Sequence, residues 1–208
     1  MKNFKRTICM IMVFCLLLGT MTMGAFAAGE KISFSDVAED AWYADAVDYV
    51  VGAGYMNGVS KTEFAPKATM TRAMLATILY RMKGEPAVEA PAAFEDVAEG
   101  MWYSDAIAWA AEEGIVNGYS DKYFGTNDAV TREQLATMIY RYVDSLGLVF
   151  HDGVALDEFN DADEVSAWAV EGLKWAVAAG IVTGTPDGDL NPKDTATRAE
   201  AAAMLERM

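Results

Sequence analysis

The sequence predicts an all-α protein in which three helix-loop-helix repeats close into one pseudo-threefold helical bundle. Three observations predict it. The same set of unlike residues recurs along residues 34–208 at a nearly constant offset. Within each recurrence the apolar residues follow helical rather than strand spacing. A helix pair of this size cannot bury its apolar face alone, so the three copies must share a core.

The elements follow in order. Residues 1–27 read as a secretory signal, with Lys2, Lys5 and Arg6 as its basic start, Ile8 to Gly19 as its apolar stretch and Ala25-Phe26-Ala27 as a small-x-small cleavage pattern. Residues 28–33 are a short N-terminal segment. Repeat one spans 34–83, a linker 84–93, repeat two 94–143, a second linker 144–158 and repeat three 159–208. Phe34-Ser35-Asp36-Val37, Trp42-Tyr43, Asn57-Gly58 and Thr71-Arg72 return 60 residues later as Phe94-Glu95-Asp96-Val97, Trp102-Tyr103, Asn117-Gly118 and Thr131-Arg132. The third copy, offset by about 66, carries Phe159-Asn160-Asp161, Trp168, Gly184 and Thr197-Arg198-Ala199-Glu200.

The first helix of each repeat is expected over roughly 41–53, 101–113 and 166–179. Its aromatic residues lie seven apart, Trp42 with Tyr49, Trp102 with Trp109 and Trp168 with Trp175. That spacing returns to one helical face and predicts core positions, with a ring edge left to line a groove. Ala46, Ala106 and Gly172 sit between them, and Gly54, Gly114 and Gly180 suit left-handed C-caps. The second helix starts at the Thr-Arg pair, with Thr71, Thr131 and Thr197 as N-caps. Gln134 and Glu200 complete a capping box in repeats two and three, whereas Met74 cannot in repeat one. The buried stripe is Leu75, Ile78, Leu79 and Met82, then Leu135, Met138, Ile139 and Tyr142, then a thinner Ala201, Met204, Leu205 and Met208.

Composition narrows the function. The chain has 16 basic and 31 acidic residues and a formal charge of −15. Signal removal takes three basic and no acidic residues, which gives −18. Such a charge excludes a nucleic-acid partner, because phosphate neutralisation needs clustered Lys and Arg. Cys9 and Cys15 both lie in the signal, so the mature chain has no thiol chemistry, and His151 stands alone in a linker. Asp187-Gly188-Asp189 opens like a calcium loop, but Pro192 and Arg198 stand where Gly and Glu are needed. No metal, no cofactor and no stable membrane insertion are expected. The acidic residues repeat with the units, whereas a hydrolase pair would break the symmetry, so no enzyme is read.

Phe-x-Asp-Val, Trp-Tyr, Gly-Ile-x-x-Gly, Phe-x-Pro and Thr-Arg-Ala-Glu together resemble the S-layer homology module, over the whole mature chain. The resemblance implies a three-pronged helical assembly. It also implies non-covalent anchoring to an anionic secondary cell-wall polysaccharide, often one with ketal-linked pyruvate on N-acetylmannosamine. Other surface-layer proteins are a further partner class, and a self-assembling surface-layer protein is the alternative function. The expected location is secreted, at the cell wall or S-layer. Carried over by motif, the glycan-binding residues are Arg72, Arg132 and Arg198, the loop glycines Gly58, Gly118 and Gly184, the early Asp36, Asp96 and Asp161, and Trp42, Trp102 and Trp168. Turn or cap duty is an equal reading for the Asp residues and turn geometry for the glycines.

Departures from the motif are Thr-Arg-Ala-Met in repeat one, Thr-Arg-Glu-Gln in repeat two, and Ala169 for Tyr after Trp168. Gly125 is set opposite Pro66 and Pro192. Physically, an Arg fork at a helix start matches a carboxylate, and a flat indole suits sugar C–H groups. Replacing the three motif arginines together by alanine is therefore expected to abolish wall binding while the chain stays helical.

Overall fold

A computed structural model describes residues 33–149 and 154–208. By its contacts the chain divides into Met1–Lys31 and Ile32–Met208, and the described residues all belong to the second unit. The signal segment and His151 lie outside the described residues. Among those described are six α-helices: α1 Ala44–Gly52, α2 Arg72–Met82, α3 Ser104–Glu112, α4 Arg132–Ser145, α5 Val170–Ala178 and α6 Arg198–Glu206. A 3-10 turn covers Ala162–Glu164. No helix of the described residues is long and apolar enough to cross a membrane.

Local chemistry sets the helix ends as the sequence predicts. The Thr71, Thr131 and Thr197 hydroxyls accept from the N–H groups of Met74, Gln134 and Glu200. Capping boxes close in repeats two and three and not at Met74. Gly54, Gly114 and Gly180 follow the first helices at φ +75°, +70° and +72°, the left-handed region where a Cβ is unfavourable.

The first helices start later than expected. The chain enters α1 through successive i→i+3 turns, Ala41 N–H to Ala38 O at 3.0 Å and Ala44 N–H to Ala41 O at 2.9 Å. Matching bonds run from Ser104 to Met101 and from Ala169 to Ser166. Trp42, Trp102 and Trp168 lie in these turns, outside the helical register. The core expectation for them is therefore corrected: they are 66%, 58% and 52% exposed. Trp109 and Trp175, inside α3 and α5, are buried.

The helices do not pair within a repeat. α3 packs on α2, α5 on α4, and α1 returns to pack on α6, so each first helix lies on the second helix of the preceding repeat. Small residues permit the approach. At Gly172 in α5 an added Cβ would meet Thr137 Cα of α4 at 3.0 Å. The Thr137 hydroxyl, which would itself lie 3.2 Å from such a Cβ, donates to Glu133 O at 2.7 Å.

The extended residues before the second helices close a ring. Met70 N–H donates to Ala196 O, Ala196 N–H to Val130 O, and Val130 N–H to Met70 O, each at 2.9 Å. Outside it, the Arg72, Arg132 and Arg198 N–H groups donate to Asp128, Asp194 and Ala68 carbonyls. The next amides, of Ala73, Glu133 and Ala199, donate to Thr126, Pro192 and Pro66. This cyclic bonding makes the threefold relation and shows that Thr126, not Gly125, occupies the place of Pro66 and Pro192. Gly125 is the counterpart of Ala65 and Asn191, and all three have left-handed backbone, at φ +83°, +57° and +50°.

The buried stripes of α2 and α4 are as expected, except that Met82 is only half-buried. In α6, Ala201, Met204 and Leu205 are buried, while Met208 lies past the helix end and is exposed.

Candidate functional site

Each repeat first builds a rigid loop. The Asp36 carboxylate accepts from the Phe64 and Ala65 N–H groups at 2.9 and 2.7 Å. Asp161 does the same for Leu190 and Asn191, at 2.8 and 2.7 Å. Asp96 accepts from Phe124, Gly125 and Thr126, at 2.7, 2.8 and 3.1 Å. The Phe two residues earlier covers the loop glycine. A Cβ on Gly58 would lie 2.5 Å from Phe34 Cε1, and one on Gly184 would lie 2.6 Å from Phe159 Cε1. Gly118 is closed in the same way by Phe94 and by the Ser120 carbonyl. The loop reading of these Asp and Gly residues is thus the one with observed contacts.

Burial of Asp96 would raise its pKa, but the N–H bonds from Phe124, Thr126 and Gly125 outweigh it and hold the carboxyl below its ordinary 3.8. A depressed folded-state pKa stabilises the protein above the unfolded value and is lost as pH falls through the folded one. Stability is therefore expected to decline as pH drops below about 4. Denaturant titrations across that range should show a shallower decline for Asp96→Asn than for the wild-type chain.

The motif arginines reach across repeats. Arg72 Nε donates to Phe124 O at 2.9 Å and Nη2 to Asn117 O at 2.6 Å, both in repeat two. Arg198 repeats this on repeat one, with Nε to Phe64 O at 2.9 Å and Nη2 to Asn57 O at 2.7 Å. Arg132 Nε donates to Leu190 O at 2.8 Å, and its Nη1 pairs with Glu200 Oε1 at 2.8 Å. Arg72 is sandwiched between the Tyr119 and Phe124 rings, at 4.6 and 4.5 Å from their centroids. Arg198 lies 4.5 Å over the Phe64 ring. Arg72 and Arg198 are only 5% and 7% exposed. Their burial pulls the guanidinium pKa down in both, though both remain charged at neutral pH. These side chains bridge the repeats, so the triple alanine variant is expected to lose fold stability along with binding.

Two clefts open beside these bridges. One, of about 420 Å³, is lined by Arg72 from repeat one, Gly118, Tyr119, Gln134 and Arg141 from repeat two, and Trp168 from repeat three. The other, of about 390 Å³, is lined by Arg132 from repeat two, Gly184, Thr185, Glu200 and Arg207 from repeat three, and Trp42 from repeat one. For Arg198, its bond to the Asn57 loop is the counterpart, and the cyclic order assigns Gly58 and Trp102 to that third position. Arginine, loop glycine and indole thus come together from three different repeats. Asp36, Asp96 and Asp161 line neither described cleft.

Two further arginines enter the described clefts from outside the motif, Arg141 in one and Arg207 in the other. Arg81, Arg141 and Arg207 recur toward the C-terminal side of the second helices with the same 60 and 66 offsets, which is the signal that marks them. Arg81 and Arg207 donate to Tyr55 O and Ile181 O at 3.2 and 3.3 Å. Each cleft thereby presents two guanidinium groups and an exposed aromatic face, a set suited to an anionic sugar. Among the described residues, no group of His, Cys, Asp or Glu could hold a metal ion.

The S-layer homology domain family matches the chain at residues 33–74, 93–136 and 158–202. The chain is 36% identical over 166 residues to a surface-layer 125 kDa protein of Lysinibacillus sphaericus, covering 78% of this chain and 14% of that protein. It is 30% identical over 176 residues to the exoglucanase XynX of Acetivibrio thermocellus, covering 85% of this chain and 16% of the enzyme. A cellulosome-anchoring protein of Acetivibrio thermocellus is 28% identical over 158 residues, 74% of this chain and 34% of that protein. The matched region is thus a minor part of each relative.

Proposed function

The chain belongs to the S-layer homology domain family, and from that premise we propose that it binds an anionic, pyruvylated secondary cell-wall polysaccharide in the clefts between its repeats. S-layer homology domains are non-catalytic modules that anchor proteins to the cell wall. The observation that carries the finer reading is the composition of the clefts. Each described cleft sets a motif arginine, a second arginine and an exposed indole around one space.

A pyruvate ketal carries a carboxylate that a guanidinium fork matches, next to a sugar ring whose C–H face suits an indole. The ligand is an anion and the mature chain is strongly acidic, so the bulk field opposes approach. Recognition then depends on these local donors. Arg72, Arg132 and Arg198 serve with the donor capacity left after their protein contacts, joined by Arg141 and Arg207. The loop glycines and the Asp residues shape the loop that faces the ligand. Secretion and residence at the wall follow as part of the same proposal.

The signal-free chain is expected to pellet with wall sacculi that retain their secondary polymer and to stay in solution with sacculi chemically stripped of it. Equal pelleting with both preparations would remove the polymer as the ligand. Pelleting of the protein without sacculi would favour self-assembly instead.

A further inference from the structure

We propose that the clefts are graded, the Arg72 cleft being the primary anion site and Glu200 the residue that keeps the Arg132 cleft weak. The grading rests on the anionic-glycan reading above. The threefold relation places one second-helix residue, at its third position, opposite each motif arginine. That residue differs in every repeat. It is Gln134 opposite Arg72, Glu200 opposite Arg132 and Met74 opposite Arg198.

Glu200 is fixed from both sides. Its Oε2 accepts from Thr197 N–H and from the Thr197 hydroxyl, each at 2.8 Å, while Oε1 pairs with Arg132 Nη1 at 2.8 Å. The cleft therefore contains an anion already. An incoming carboxylate must break that pair or lie against a like charge. Arg72 has no ion-pair partner among the described residues, and its two bonds go to neutral carbonyls. Gln134 holds the same capping position through its Oε1, which accepts from Thr131 N–H at 3.1 Å, and directs its amide nitrogen at the Tyr119 hydroxyl. No carboxylate lines that cleft, the Asp128 and Asp96 charges acting on Arg72 from outside its lining, and Gln134 places a neutral amide beside Tyr119, a second aromatic wall. Met74 adds neither charge nor donor, which ranks the Arg198 position between the two.

The test uses the methyl glycoside of N-acetylmannosamine carrying a pyruvate ketal, titrated into 15N-labelled signal-free protein. The indole N–H signals of Trp168 and Trp42 report the Arg72 and Arg132 clefts separately. In wild type the Kd read at Trp168 is expected to be at least about fivefold below that at Trp42. Glu200→Gln, which keeps a capping box as Gln134 does, is expected to tighten Trp42 binding by about fivefold or more and leave Trp168 unchanged. Gln134→Glu should weaken the Trp168 response in the converse sense. Equal affinities in wild type, or no change at Trp42 on Glu200→Gln, would overturn the grading while leaving the glycan reading in place. No response at any indole of the folded protein would overturn both.

Discussion

Arg198→Ala is expected to destabilise the protein by about 4 kcal/mol, a large share of the stability of a domain this size. Arg198 is buried, and its Nε and Nη2 donate to Phe64 O and Asn57 O at 2.9 and 2.7 Å. Hydrogen bonds from a charged donor contribute about 1.5–3 kcal/mol each, and the Phe64 ring beneath it adds about 1. Truncation leaves two carbonyls without their donor and opens a void between the last and first repeats. Arg198→Lys should recover less than half, because one ammonium cannot span both carbonyls or lie flat on the ring. Denaturant unfolding at constant m-value gives the difference. A loss below about 1 kcal/mol would show that the ring closes without this bridge.

The Trp42→Ala, Trp102→Ala, Trp168→Ala triple variant should behave oppositely. Binding to sacculi is expected to fall by an order of magnitude or more, since exposed aromatic faces that a ligand covers on binding carry much of the energy of such sites. Stability should change by no more than about 1 kcal/mol, because exposed substitutions are individually small. The packing lost is at the surface, such as the Trp42 edge against Tyr43 at 5.2 Å. Retention of binding by a folded triple variant would take the indoles out of the site. Phenylalanine at the three positions should restore part of the binding, which a purely structural effect would not require. The pair of experiments separates two functions that the repeated motif superimposes, arginine joining repeats and tryptophan facing the ligand.

Most of the local structure was legible because its causes are local. A threonine hydroxyl caps an amide three residues on, and a glycine takes a left-handed turn at a helix end. Hence Thr71, Thr131, Thr197 and Gly54, Gly114, Gly180 needed only the repeat and the capping rules. The seven-residue spacing misplaces the first Trp of each repeat, because it means a common face only when both residues are helical. The entry turns shift Trp42, Trp102 and Trp168 out of register. The arginines were half legible. Their threefold recurrence marked them, but their partners are carbonyls 45 to 141 residues away, which no local rule reaches. Arg81, Arg141 and Arg207 carried the same repeat signal.

By itself, then, the sequence determined the three units, their helices and caps, and the kind of chemistry available, since all of these depend on neighbours a few residues apart. Which copy serves which depends on long-range packing. Each first helix packs on the preceding repeat, each motif arginine reaches into the next, and each described cleft draws on all three. The physical reason is burial. A single helix pair leaves its apolar face and its loop carbonyls exposed, and cyclic exchange between copies satisfies both. The same exchange brings two arginines and an indole to one place, so the candidate site exists only once the ring has closed.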